Sequence, residues 1–231
     1  MQRKNLAIRP SDQEIRLALR DRLHAIHGDE SDTAIIDELS LCQGDARVDV
    51  AVVNGSFSGY EIKSDRDTLN RLPSQSAAYE LCFDTMTIVV GERHLAKCKE
   101  AIPDWWGIWE ATPTEQGIRF GCWREPTPNH RISAERVVQL LWKQELRKAL
   151  AELGLSSPAK TSRRELGMLL IAAAGDKLFG IVRSRIRARG DWRSAPTPFR
   201  CGGLSRSVAT SPRCQRNRDW LLSVVSRNHH R

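Results

Sequence analysis

The sequence has no apolar run approaching the roughly 18 residues that a membrane span requires, and its opening, MQRKNLAIRPSD, lacks the continuous apolar segment of a signal peptide. Both absences point to a cytoplasmic protein with no membrane partner. Paired cysteines are missing too. Cys42, Cys82, Cys98, Cys122, Cys201 and Cys214 are scattered without C-x-x-C spacing, which argues against a zinc module or a dithiol redox pair and leaves reduced, structural thiols. The body also lacks net charge. The chain carries a formal +8, but from Arg183 to Arg231 twelve arginines stand against two aspartates, a local +10 that leaves residues 1–182 at −2. Basicity therefore belongs to the tail and does not by itself make the body a nucleic-acid binder.

What is present, 231 residues of which 40% are apolar, suits one medium domain with an accessory piece. SDQEIRLALRDRLHAIH opens with Ser11 and Glu14 in capping-box spacing, and Ile15, Leu19, Leu23 and Ile26 recur at helical intervals. After the short mixed segment TAIIDELSLC come a valine-rich strand over 48–53, a turn at Asn54 and Gly55, and a second strand over 57–63. A helix entered at Ser64 or Asp65 and disturbed at Pro73 leads to TMTIVVG, a buried strand of the parallel-sheet kind. A helix near 92–101 and a strand pair, WWGIWEA and GIRFGCW, complete the body. The order is α, β, β, β, α, β, an α/β fold with a mixed sheet. The expected divisions are a domain over 1–130, a helical module of two or three helices over 131–189, and an Arg-rich, disordered tail over 190–231.

Two acidic residues and a lysine stand on the strand pair where apolar residues would be expected. Side chains alternate across a strand, so Asp49, Ala51 and Val53 share one face, as do Phe57, Gly59, Glu61 and Lys63. If Asn54-Gly55-Ser56 is a three-residue loop with glycine in the left-handed position, Asp49 falls opposite Glu61 and Arg47 opposite Lys63; a two-residue turn separates the carboxylates. In the first register the small Ala51 and Gly59 leave open space beside the charges, while Val48, Val50, Val52, Tyr60 and Ile62 form the core face. Facing carboxylates repel unless a cation lies between them, and hard oxygen donors suit Mg²⁺ or Mn²⁺. A nearby lysine can place a water or steady a developing phosphate charge, the equipment for phosphodiester hydrolysis. A salt-bridged surface hairpin is the plain alternative for so short a pattern.

Asp49 followed after eleven residues by Glu61-Ile62-Lys63 resembles the signature of the PD-(D/E)XK nuclease superfamily, with Val48 in place of its proline. Gln75 and Tyr79, spaced QxxxY on the next helix, resemble a motif of its RecB-like branch, and the likeness to small bacterial and phage-associated members is strongest over 35–92. The resemblance implies a restriction-endonuclease-like αβββαβ core and a Mg²⁺-dependent nuclease, a hydrolase acting on DNA, with RNA as the other candidate substrate. It implies that Asp49, Glu61 and Glu38 bind the metal, that Lys63 orients the attacking water, and that Gln75 and Tyr79 shape the site. Asp37 competes with Glu38 for the upstream role.

The competing expectation is a non-catalytic nucleic-acid-binding or interaction protein on the same fold. Several other groups read more simply as structure. Arg66, Arg71 and Lys97 fit solvated helix faces better than phosphate contacts, and Trp105, Trp106, Trp109 and Trp123 fit packing better than base stacking. The segment ELRKALAELGLSSPAKTSRRELGMLL bears a faint likeness to a helix-extension-helix module of the SAP type, against a plain bundle that packs on the core or mediates homodimerisation. Cys201, Cys214, His229 and His230 are too irregularly spaced for a zinc site.

Overall fold

Ser11 and Glu14 do form a capping box, the Ser11 hydroxyl accepting from Glu14 N and the Glu14 carboxylate accepting from Ser11 N at 2.7 Å. They open α1 (Asp12–His27), which buries Ile15, Leu19 and Leu23. The computed structural model describes residues 9–28, 30–41, 44 and 46–189. Strands β1 (Ala34–Leu41), β2 (Ala46–Val53) and β3 (Phe57–Lys63) follow, then α2 (Leu72–Glu80), β4 (Thr85–Val90), α3 (Glu92–Ala101), β5 (Gly107–Thr114) and β6 (Gly117–Arg124). The six strands lie in sequence order in one mixed sheet, parallel at β3–β4 and β4–β5 and antiparallel elsewhere.

The expected element order and mixed sheet are present. The helix expected from Ser64 is shorter, because Pro73 lies in its first turn, where a missing N–H costs nothing, and so begins α2 rather than disturbing it. The chain from Ser133 onward also divides more finely, into α4 (Ala134–Val138), α5 (Lys143–Glu152), α6 (Arg163–Ala174), a 3₁₀ turn (Gly175–Lys177) and α7 (Leu178–Arg187).

The hairpin between β2 and β3 has the three-residue connection, since Val53 pairs with Phe57 and Val50 with Tyr60. Its turn is closed differently from the expectation. Gly55 is not among the residues with positive φ; instead the Asn54 side-chain oxygen accepts from Ser56 N at 2.9 Å, so an Asx-type bond does the work assigned to glycine.

Both faces of the sheet are covered, which is the second departure. Ile15, Leu19 and Leu23 of α1 pack with Val50, Val52, Tyr60, Ile62, Val89 and Trp109 on one side. The other side, expected to be open beside Ala51 and Gly59, is the larger core, formed with α2 and α3 and with Leu146, Leu166, Leu170 and Val182 of the later helices. A Cβ on Gly59 would lie 2.3 Å from Met86 Sδ and 3.1 Å from Phe83 Cδ1. Gly59→Ala is therefore expected to cost about 1–3 kcal/mol by overpacking, read as a lower denaturation midpoint in urea; an unchanged midpoint would mean that Met86 can yield.

Residues 131–188 thus share one core with the sheet. Ser133 N donates to the Leu81 carbonyl, Asn129 Nδ2 to those of Glu80 and Phe83, and Arg183 bridges the Gly55 carbonyl and the Asp84 carboxylate. The position near 130 marks a change of secondary structure within one compact unit that ends at Ala188. Arg183, Arg185 and Arg187, counted above with the tail, belong to α7 and pair with Asp84, Glu152 and Asp32. The segment 190–231, with Cys201, Cys214, His229 and His230, lies outside the described residues, as does Cys42. No helix among the described residues is long and apolar enough to cross a membrane.

Candidate functional site

The six residues singled out from the sequence converge. β2 supplies Asp49 and β3 supplies Glu61 and Lys63, the last at the strand's C-terminal end. α2 places Gln75 and Tyr79 one turn apart, so that both reach the same carboxylate. β1 supplies Glu38, whose φ of 52° is the one positive value at a non-glycine position among the described residues. Such a conformation is held against its intrinsic cost by its surroundings.

Glu61 is 1% exposed and its oxygens are fully engaged. Oε1 accepts from Lys63 Nζ at 2.5 Å and from Gln75 Nε2 at 2.7 Å, and Oε2 lies 2.7 Å from the Tyr79 hydroxyl. That hydroxyl also lies 2.8 Å from the Arg47 carbonyl, so its one proton is shared between two acceptors. Burial, and then the Glu61 charge, push the Tyr79 pKa far up, which keeps the phenol a donor at any physiological pH. Lys63 is 6% exposed, and the pair is a buried ion pair.

Asp49 meets a different set. The β2–β3 ladder stops at Val50 and Tyr60, and Ile62 N donates to Asp49 Oδ2 at 2.8 Å. Its other oxygen lies 3.2 Å from Arg16 Nη2. Burial first, and then the charge of Glu61, raise the Asp49 pKa from its ordinary 3.8 to about 7.

Arg16 of α1 is the residue that sequence reasoning missed. Its guanidinium reaches Glu38 Oε1 at 2.9 Å, Asp12 Oδ2 at 2.8 Å and Asp49 Oδ1, joining three carboxylates from three elements. Burial alone would lower its pKa, but the charges of Asp49, Glu38 and Asp12 outweigh that and raise it. Arg47 lies 3.5 Å from Glu38 as well. Asp37, the alternative to Glu38, turns to Arg20 instead. A signal was available: Asp12, Arg16 and Arg20 form an i, i+4 row beside the apolar row Ile15, Leu19 and Leu23, so any helix burying the second row carries the first along its border.

Each of the two facing carboxylates thus meets a cation of the protein's own, Arg16 at Asp49 and Lys63 at Glu61. A resident divalent ion does not fit this donor set as it stands. Asp49 and Glu38 are bridged by Arg16, and both Glu61 oxygens are bonded. Among the described residues no group of three or more His, Cys, Asp or Glu side chains is placed to hold an ion. Chemically, the arrangement is a self-neutralised lock between α1, β1, β2, β3 and α2.

A family model described as Bacteriophage P4 protein cII matches residues 8–194, most of the chain and every residue of this cluster. The chain belongs to that family. Protein cII of Enterobacteria phage P4 is 28% identical over 178 residues, an alignment that spans 77% of this chain and 67% of the phage protein. No solved structure matches. Membership in the cII family corrects the resemblance to PD-(D/E)XK nucleases: the match is to a different family, no nuclease family matches, and the reading as a Mg²⁺-dependent hydrolase of DNA falls with it. The physical reason agrees, since a short D…ExK pattern records which residues share a strand pair and not what neutralises them.

The other candidates are placed as structure. Trp106 and Trp109 are buried and Trp105 packs against the core, whereas Trp123 is 55% exposed, with Lys99 Nζ 4.0 Å above its ring. Arg66, Arg71 and Lys97 are exposed.

Proposed function

We propose that this member of the phage P4 cII family is a non-catalytic nucleic-acid-binding protein, with DNA as its first partner, that meets phosphate through its helical layer. The observation that carries the reading is the division of charge in the folded chain. Residues 131–189 hold thirteen basic and five acidic residues, a net +8, while residues 1–130 hold fifteen basic and twenty-one acidic, a net −6. Counting the tail from Arg183 hides this, because it cuts through α7. Arg136, Lys148 and Lys160 are exposed and make no ion pair among the described residues, so their charges face solvent. Clustered, unpaired cations on one part of a fold are the electrostatic footprint of a polyanion partner. The carboxylate cluster supports the non-catalytic half of the reading, since its cations are its own. A restriction-endonuclease-like arrangement of the α1–β4 core remains part of this proposal as a likeness of topology alone.

The test is fluorescence anisotropy with duplex DNA at several salt concentrations. Lys148→Glu with Lys160→Glu is expected to weaken binding regardless of sequence and to flatten the plot of log affinity against log salt by about 2, roughly one for each lost phosphate contact. Removing residues 190–231, which carry a further +6, gives the tail's share separately. An unchanged slope in the lysine variant would place the phosphate contacts elsewhere, and tighter binding to RNA would reassign the partner. Supercoiled plasmid incubated with Mg²⁺ is expected to stay supercoiled.

A further inference from the structure

Of the six large apolar side chains that are strongly exposed among the described residues, four lie on the helical layer: Trp142, Leu155, Met168 and Leu169. α6 has two opposed faces. Leu166, Gly167, Leu170 and Ala174 are buried against the core. On the other side, the i, i+4 rows Arg164-Met168-Ala172 and Glu165-Leu169-Ala173 are exposed throughout, with Met168 at 50% and Leu169 at 46%. A contiguous apolar strip of this kind, bordered by charge, marks a contact surface. At its N-terminal half it is an open depression lined by Lys160, Thr161, Arg164, Glu165, Met168 and Leu169.

The charges at the two ends of α6 say what covers it. Arg164 and Glu165 stand at its N-terminal end, and Asp176 and Lys177, both exposed, stand in the 3₁₀ turn just past its C-terminal end. Each end carries one charge of each sign, in the order basic-acidic at the start and acidic-basic at the finish. A second α6 laid antiparallel brings each Arg164 toward an Asp176 and each Glu165 toward a Lys177; a parallel one also sets opposite charges together, Arg164 against Glu165, but puts Met168 against Leu169 and alanine against alanine. Antiparallel approach is also what a two-fold axis produces, the same patch serving both copies. Ala172 and Ala173 opposite Met168 and Leu169 set small against large, as interdigitating i±4 ridges require.

We infer that the chain forms a homodimer through the outer face of α6, two copies crossing antiparallel about a two-fold axis that passes between the Met168-Leu169 turn and the Ala172-Ala173 turn. The inference does not rest on nucleic-acid binding and is measured without nucleic acid, so the two readings fail separately.

Sedimentation velocity and light scattering on the full chain, from low to high micromolar concentration, test it. The wild type is expected to dimerise with concentration. Leu169→Glu, at an exposed position, is expected to keep the wild-type circular dichroism spectrum and to remain a monomer. Arg164→Asp and Asp176→Arg are each expected to weaken the dimer by about tenfold, because each places like charges together, and the double swap is expected to restore it. A chain monomeric throughout overturns the inference, as does a dimer that tolerates Leu169→Glu. Weakening by both single swaps without rescue in the double variant overturns the antiparallel pairing. A monomer whose Met168 becomes oxidisable only after residues 219–225 are deleted overturns it in favour of this chain's own DWLLSVV segment.

Discussion

Replacing Glu61 by alanine is expected to destabilise the protein by about 3–5 kcal/mol, the usual scale for removing one partner of a buried ion pair. Lys63 would then lie at 6% exposure with its anion gone, and Gln75 Nε2 would lose the oxygen 2.7 Å away. Tyr79 retains the Arg47 carbonyl and loses less. Two facing carboxylates that repel would suggest the opposite for Glu61, a fold that tolerates its loss. The difference arises because Glu61 is surrounded by donors from its own strand and from α2. Denaturant unfolding of Glu61→Ala beside Glu61→Ala/Lys63→Met measures it: the double variant, with neither member of the pair left to bury, is expected to recover most of the loss. A Glu61→Ala protein within about 1 kcal/mol of wild type would mean that water reaches Lys63 and that the lock is not closed.

Much of this cluster was legible in the sequence, and the limit is a physical one. Strand alternation and a three-residue connection place Asp49 and Glu61 on facing strands without any tertiary information. Helical periodicity puts Gln75 and Tyr79 one turn apart, and the capping box announces α1. Local rules of this kind act within a few residues. Arg16 was not legible as a partner of Asp49, because 33 positions separate them and only the packing of α1 across the sheet brings them together. The same holds for Gly59, which looked like open space until Met86 and Phe83 filled it. It holds also for the helical layer, whose +8 became visible only once α7 was known to end near Arg187. A motif read without its neutralising partner suggested catalysis. The arginine supplied by another element reverses that chemistry.

Asp49→Asn is expected to stabilise the protein at neutral pH, the reverse of the Glu61 result from a residue on the facing strand. Burial and the nearby Glu61 charge raise the Asp49 pKa to about 7, so the native state holds this proton more tightly than the unfolded chain does, where the ordinary 3.8 applies. The contribution of Asp49 to stability is therefore fully present below about pH 4, falls as pH rises toward 7, and beyond that leaves a constant penalty for an ionised, buried carboxylate. Asparagine cannot ionise, and its side-chain oxygen can still accept from Ile62 N, while Arg16 keeps Glu38 and Asp12. Paired thermal melts from pH 4.5 to 8.5 are expected to show the two proteins nearly equal at the acid end. At the alkaline end the asparagine variant should lead by about 2–4 kcal/mol, or roughly 5–10 °C. A variant less stable than wild type at pH 8 would mean that the Arg16–Asp49 pair outweighs the desolvation it accompanies. Repeating the melts with Mg²⁺ carries the argument to the cation. An ion taking the place of Arg16 would hold Asp49 ionised and favour wild type selectively, shrinking the gap as its concentration rises. With Arg16 already in that position, the gap is expected to stay as it is.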